Sequence, residues 1–176
     1  MESTPQIPGF ETASDRRFLP RRRKTREITL GNLKLGGSHP IRVQSMTTPK
    51  TEDVEAVVRQ VDALEAAGCE IVRITVNNLG AANALPAILE KVRIPVIADI
   101  HFDYKMALEA LKYNVACVRI NPGNIGPEWK TLEVVKAARD AGKAIRIGVN
   151  SGSLEKPLLK KYGHPTPEAL VESALA

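Results

Sequence analysis

Four short segments of this chain place an arginine between two β-branched residues: IRV at 41–43, VRI at 72–74, VRI at 118–120 and IRI at 145–147. A guanidinium presents planar, paired N–H donors that match a phosphate or carboxylate bidentately, which an ammonium cannot do. Alternation along an extended chain puts Arg73 on one face with Thr75 and Asn77, Arg119 with Asn121, and Arg146 with Gly148 and Asn150. The same rule pairs Arg42 with Gln44, and Asp99 with His101 in the segment VIADIHFD. If neighbouring strands lean together, Arg73, Arg119 and Arg146 converge, and three like charges at one point call for an anionic guest. Asn77, Asn121 and Asn150 stand just above them to meet oxygens or hydroxyls, while Asp99 and His101 can accept as well as donate. The chemistry expected is the binding of a small, multiply anionic, hydroxylated molecule such as a sugar-like diphosphate. Arg42 is expected nearer the floor of the fold, and His39 and His164, beside prolines, are expected to be incidental.

Other phosphate and metal signatures are missing from the sequence. It has no GxxxxGK[ST] loop, no GxGxxG and no HExxH. The segments PGNIG (122–126) and NSGS (150–153) follow strand ends and could bring backbone N–H groups to a phosphate, a weak signal in either case. A Schiff-base aldolase needs a lysine at a strand end, and none of the expected strands offers one. Cys69 and Cys117 stand 48 residues apart without a CxxC motif, as expected of two reduced core thiols in a cytoplasmic protein.

The elements that must hold these residues follow a regular rhythm. A β-hairpin is predicted over 28–37 around Gly31-Asn32. Strands are then predicted at 41–46, 71–76, 96–100, 117–121 and 144–150, with helical periodicity in VEAVVRQVDALEAAG, AANALPAILEKV, YKMALEALKYN and EWKTLEVVKAARDAG. Pro86 is expected to delay or kink the second helix. Strand–helix alternation with short connections means a parallel α/β sheet. An open doubly wound sheet would press the arginine faces under helices, where an unpaired charge costs several kcal/mol. A (β/α)8 TIM-type barrel turns that face into the lumen and up to the mouth where such folds carry their sites. The barrel is therefore expected, represented by its first five strands. The stretch HPTPEALVESALA is expected to open a fifth helix with Thr166 as its cap, and the chain to be the front part of a larger protein.

At 176 residues with 43% hydrophobic and 26% charged content, the chain suits one globular domain. No apolar run approaches the ~20 residues of a membrane span, and no signal-peptide pattern is present. Seven basic residues and no acid fall within 16–26. Residues 1–27 are therefore expected to form a solvated basic tail ahead of a barrel unit over 28–176. That tail lacks the aromatic interleaving of a nucleic-acid module, so no nucleic-acid partner is expected.

The segments PIRVQSMT, AGCEIVRITV, IADIHFDYKMALEAL, VRINPGNIG and IRIGVNSGSLEK resemble, in order, the amino-terminal barrel of the 4-hydroxy-3-methylbut-2-en-1-yl diphosphate synthases, from about Arg26 to Ala176. The resemblance implies an oxidoreductase of isoprenoid biosynthesis that reductively opens 2-C-methyl-D-erythritol 2,4-cyclodiphosphate. It implies electrons from ferredoxin or flavodoxin, passed through a [4Fe–4S] cluster on a separate carboxy-terminal domain, and a homodimer in bacterial members. It nominates Arg73, Arg119 and Arg146 as the diphosphate clamp, and Asp99, His101, Asn121 and Asn150 as further substrate contacts, with no proton-transfer role for any of them. Cys69 and Cys117 do not match the family's cluster cysteines. On this resemblance the chain binds no cluster itself and is inactive alone.

Overall fold

The computed structural model describes residues 23–175. Most of the expected basic tail, residues 1–22, lies outside the described residues, whereas residues 23–27 run as exposed coil into the first strand. An antiparallel hairpin comes first, β1 (Ile28–Leu30) and β2 (Leu33–Leu35). Gly31 takes the left-handed conformation at its turn (φ +59°), where a side chain would be strained.

Five parallel strands follow in chain order: β3 (Gln44–Met46), β4 (Ile71–Thr75), β5 (Val96–Asp99), β6 (Cys117–Ile120) and β7 (Ala144–Ile147). All five lie inside the ranges expected from the sequence, trimmed by one to three residues at their ends. Between them run α1 (Val54–Ala66), α2 (Leu79–Lys91), α3 (Tyr104–Ala110), the short α4 (Pro122–Ile125) and α5 (Glu128–Asp140). After β7 come a 3₁₀ turn at Ser151–Ser153, then α6 (Lys156–Tyr162) and α7 (Pro167–Leu175).

Local chemistry starts these helices. Asp53 accepts from Ala56 N at 3.0 Å, Asn78 from Ala81 N at 2.8 Å, and Thr166 from Ala169 N at 3.1 Å. Each carboxylate, amide or hydroxyl oxygen satisfies a backbone donor that the first helical turn leaves free. Two expectations are corrected. Pro86 does not delay α2, because the Asn78 cap sets the start and Pro86 sits on an exposed position inside the helix. The stretch 167–175 is not the helix that directly follows the fifth parallel strand, because α6 intervenes. In LEKPLLKKY, Pro157 sits in the first turn where it is tolerated, and Gly163 (φ +75°) closes the helix.

The two faces of the sheet do different work. Val72, Ile74 and Val76 are fully buried against the helical layer, Val72 and Ile74 in one cluster with Val57, Val61, Ile88 and Val96. Such side chains contribute about 1.5–3 kcal/mol each by leaving water. On the opposite face the lower layer is apolar: Ile71, Ile97 and Cys117 pack with Leu30 of the hairpin. The hairpin thus plugs the amino-terminal end of the strands. Above this plug the inner face turns polar, as a barrel lumen requires.

Candidate functional site

Strand register sets the site. Thr75 pairs with Asp99, Asp99 with Arg119, and Arg119 with Arg146, a row running straight across β4, β5, β6 and β7. Arg73 stands one layer lower, beside Ile97, and reaches up to the same carboxylate. Its Nε lies 3.0 Å from Asp99 Oδ2, without the direction of a hydrogen bond. Arg119 Nη1 donates to Asp99 Oδ1 at 3.1 Å. His101 Nε2 stands 3.8 Å from Asp99 Oδ2, at the mouth. Asp99 is fully buried, whereas the Arg73 and Arg119 side chains keep 22% and 14% exposure. The carboxylate is therefore the floor of the arrangement, and the guanidiniums are what a visitor would meet.

Arg73 and Arg119 each have a second anchor. Arg119 Nη2 donates to Gly148 O at 3.0 Å, and Arg73 Nη2 meets the Met46 thioether, a weak acceptor, at 2.6 Å. Arg146 is exposed and donates through Nη1 to the Gln44 amide oxygen, from the fifth parallel strand back to the first. Three guanidiniums thus share a lumen face with one carboxylate, and the surplus positive charge is suited to a polyanion. Arg42 is not in this group. It lies before β3, paired with Glu70 at 2.6 Å, and Glu70 also accepts from Val43 N at 3.0 Å. Its place near the strand bases is the one expected.

The amides gather at the loops above. Asn121 Nδ2 donates to Ser153 Oγ at 2.6 Å, and Ser153 Oγ donates to Asn150 Oδ1 at 3.0 Å, so one hydroxyl joins two of the nominated residues. Asn121 Oδ1 accepts from Gly123 N at 3.2 Å, which holds its amide over β6. The segments PGNIG and NSGS, expected as loops, form the short helix α4 and a 3₁₀ turn that pack as one unit, in which a Cβ at Gly123 would strike the Ser153 carbonyl. Asn77 stands apart, exposed, accepting from Asn78 Nδ2 at 3.2 Å.

Gln44, Gly148 and Ser153 are partners that residue-type reasoning did not nominate. Alternation already placed Gln44 and Gly148 on the inner face, but nothing local marked them as arginine anchors. Ser153 joins Asn121 across 32 residues, a contact that only the tertiary fold brings about.

No arrangement of three or more His, Cys, Asp or Glu side chains suited to a metal occurs among the described residues. The two free cysteines are buried, Cys69 in the connection before β4 and Cys117 in β6, and burial pushes the Cys117 thiol up to about 11 despite the nearby Arg146 guanidinium. An iron–sulfur cluster is held by several converging thiolates, so these residues do not fit one.

Hairpin-plugged parallel strands, helices on the outer face and a polar inner face rich in guanidinium groups define a TIM-type barrel unit, unclosed among the described residues. A solved structure of 7,8-dihydropteroate synthase from Vibrio fischeri shares this fold, with a TM-score of 0.54 at 13% identity over 85% of this chain and 60% of that one. The family described as GcpE TIM-barrel domain matches residues 25–176, and the chain belongs to that family. Relatives named 4-hydroxy-3-methylbut-2-en-1-yl diphosphate synthase (flavodoxin) include one from Geobacter sulfurreducens, 59% identical over 86% of this chain, and one from Thermodesulfovibrio yellowstonii, 55% identical over 88%. The chain spans 43% and 44% of their respective lengths.

Proposed function

We propose that this chain supplies the anion-binding part of a 4-hydroxy-3-methylbut-2-en-1-yl diphosphate synthase, and that its ligand is 2-C-methyl-D-erythritol 2,4-cyclodiphosphate. The observation that carries this reading is the set of three guanidiniums from β4, β6 and β7 on one lumen face, opposed by the single carboxylate of Asp99. The diphosphate oxygens take the free N–H pairs of Arg73, Arg119 and Arg146. Asn121 and Asn150, joined through Ser153, face the loop side of the guest together with His101. Asp99 lies between the Arg73 and Arg119 guanidiniums and holds them at a set spacing, contributing to binding through them.

In the whole protein the reaction is the reductive opening of the cyclic diphosphate, with flavodoxin or ferredoxin as electron donor and a [4Fe–4S] cluster as the redox group. Cys69 and Cys117 do not hold that cluster, so in this reading the chain alone binds the cyclodiphosphate without turning it over. The barrel unit is assigned to 28–176, behind the basic segment 1–27.

Calorimetric titration of the chain with the cyclodiphosphate tests the assignment. Arg119→Ala and Arg146→Ala should each weaken binding by about 1.5–3 kcal/mol, roughly 10- to 150-fold. Unchanged affinity in both variants would overturn it.

A further inference from the structure

Gly148 follows Arg146 by two residues on the inner face of β7's extension, and its N–H continues the ladder to Ile120 O at 2.9 Å. Its carbonyl accepts from Arg119 Nη2 at 3.0 Å, so the guanidinium lies directly on the Gly148 backbone. A Cβ placed on Gly148 would sit 2.7 Å from Arg119 Cζ and closer still to Nε and Nη2. No carbon side chain fits there with Arg119 in place. The glycine is not needed for its own backbone, because its φ lies outside the left-handed region. The atoms that a methyl would displace are the far end of a flexible side chain, so the strand can accept alanine and Arg119 must move.

We propose that Gly148 is a positioning residue. Its missing side chain lets the Arg119 guanidinium lie between Asp99 Oδ1 and the Gly148 carbonyl, with two of its five N–H groups held and the guest met through the 14% of the side chain that stays exposed. This rests on the reading of Arg119 as a diphosphate contact, and it assigns a role to a residue that touches the ligand only through another. Any residue larger than glycine at position 148 pushes Arg119 off its two anchors, and the clamp loses its fixed geometry.

The test is a double-mutant cycle on the full chain: wild type, Arg119→Ala, Gly148→Ala and the double variant, each titrated with the cyclodiphosphate and melted thermally. Gly148→Ala is expected to weaken binding about tenfold and to lower Tm by no more than Arg119→Ala does, since both variants cost buried Asp99 the same partner. In the Arg119→Ala background the same substitution is expected to change nothing, because the group it displaces is gone. An equal loss of affinity in both backgrounds, a fall in Tm of the same size in the Arg119→Ala background, or no loss beside intact Arg119 would each overturn the positioning role. Wild-type affinity in Arg119→Ala itself would instead overturn the reading of the site on which the role rests.

Discussion

Asp99 carries two opposed demands: it must neutralise enough charge for Arg73 and Arg119 to coexist, yet leave them available to an anion. Asp99→Asn keeps the shape and an acceptor for Arg119 but removes the charge. Breaking a fully buried pair costs roughly 3–5 kcal/mol. Here both guanidiniums keep partial exposure, so a loss of about 2 kcal/mol is expected in urea denaturation, and an unchanged midpoint would refute the role. Cys117 gives a pH signature. Its thiol is held up to about 11, whereas in the unfolded chain it ionises near 9. Between those values the unfolded state has lost a proton that the native state keeps, so stability falls as pH rises through that window. Cys117→Ala should flatten this part of the stability–pH curve relative to wild type; an identical slope in both chains would contradict the assignment.

At the scale of elements, the hairpin is the piece whose removal the lumen would feel first. Leu30 is 2% exposed and packs on Ile71, Ile97 and Cys117, directly under the arginine layer. Leu30→Ala should cost about 3 kcal/mol through lost transfer energy and the cavity left behind, read as a lower denaturation midpoint; a change under about 0.5 kcal/mol would mean that the plug is not part of the core. Much of this architecture was legible in the residues. Period-two alternation in VRI and IRI separated a helix-facing face from a lumen face, and Thr166 marked a helix start, whereas the Asn78 cap was not read from the sequence. What stayed hidden depended on contacts distant in sequence. The helix over Lys156–Tyr162 has a weak local pattern, and its packing against α7, with Lys161 and Tyr162 bonded to Glu172, identifies it as an element. Alternation likewise aimed Arg119 and Arg146 inward, but could not show that Gly148 and Gln44 would receive them.

For the whole molecule, the chain folds a five-stranded parallel sheet whose outer strands, β3 and β7, each pair on one side only among the described residues. The Arg146–Gln44 bond joins these two outer strands across the inner face, which shows how far the sheet has curled into a barrel wall. That curl brings residues far apart in the sequence onto one electropositive inner face, which a flat sheet would spread over four strands. The account predicts one guest for all three arginines. The most direct measurement is an NMR titration of the chain with 2-C-methyl-D-erythritol 2,4-cyclodiphosphate, following the side-chain Nε–H resonances. The account predicts that Arg73, Arg119 and Arg146 shift together along one binding isotherm while Arg42, locked to Glu70, stays still. Shifts confined to other arginines, or three arginines titrating with unrelated midpoints, would contradict a shared diphosphate clamp.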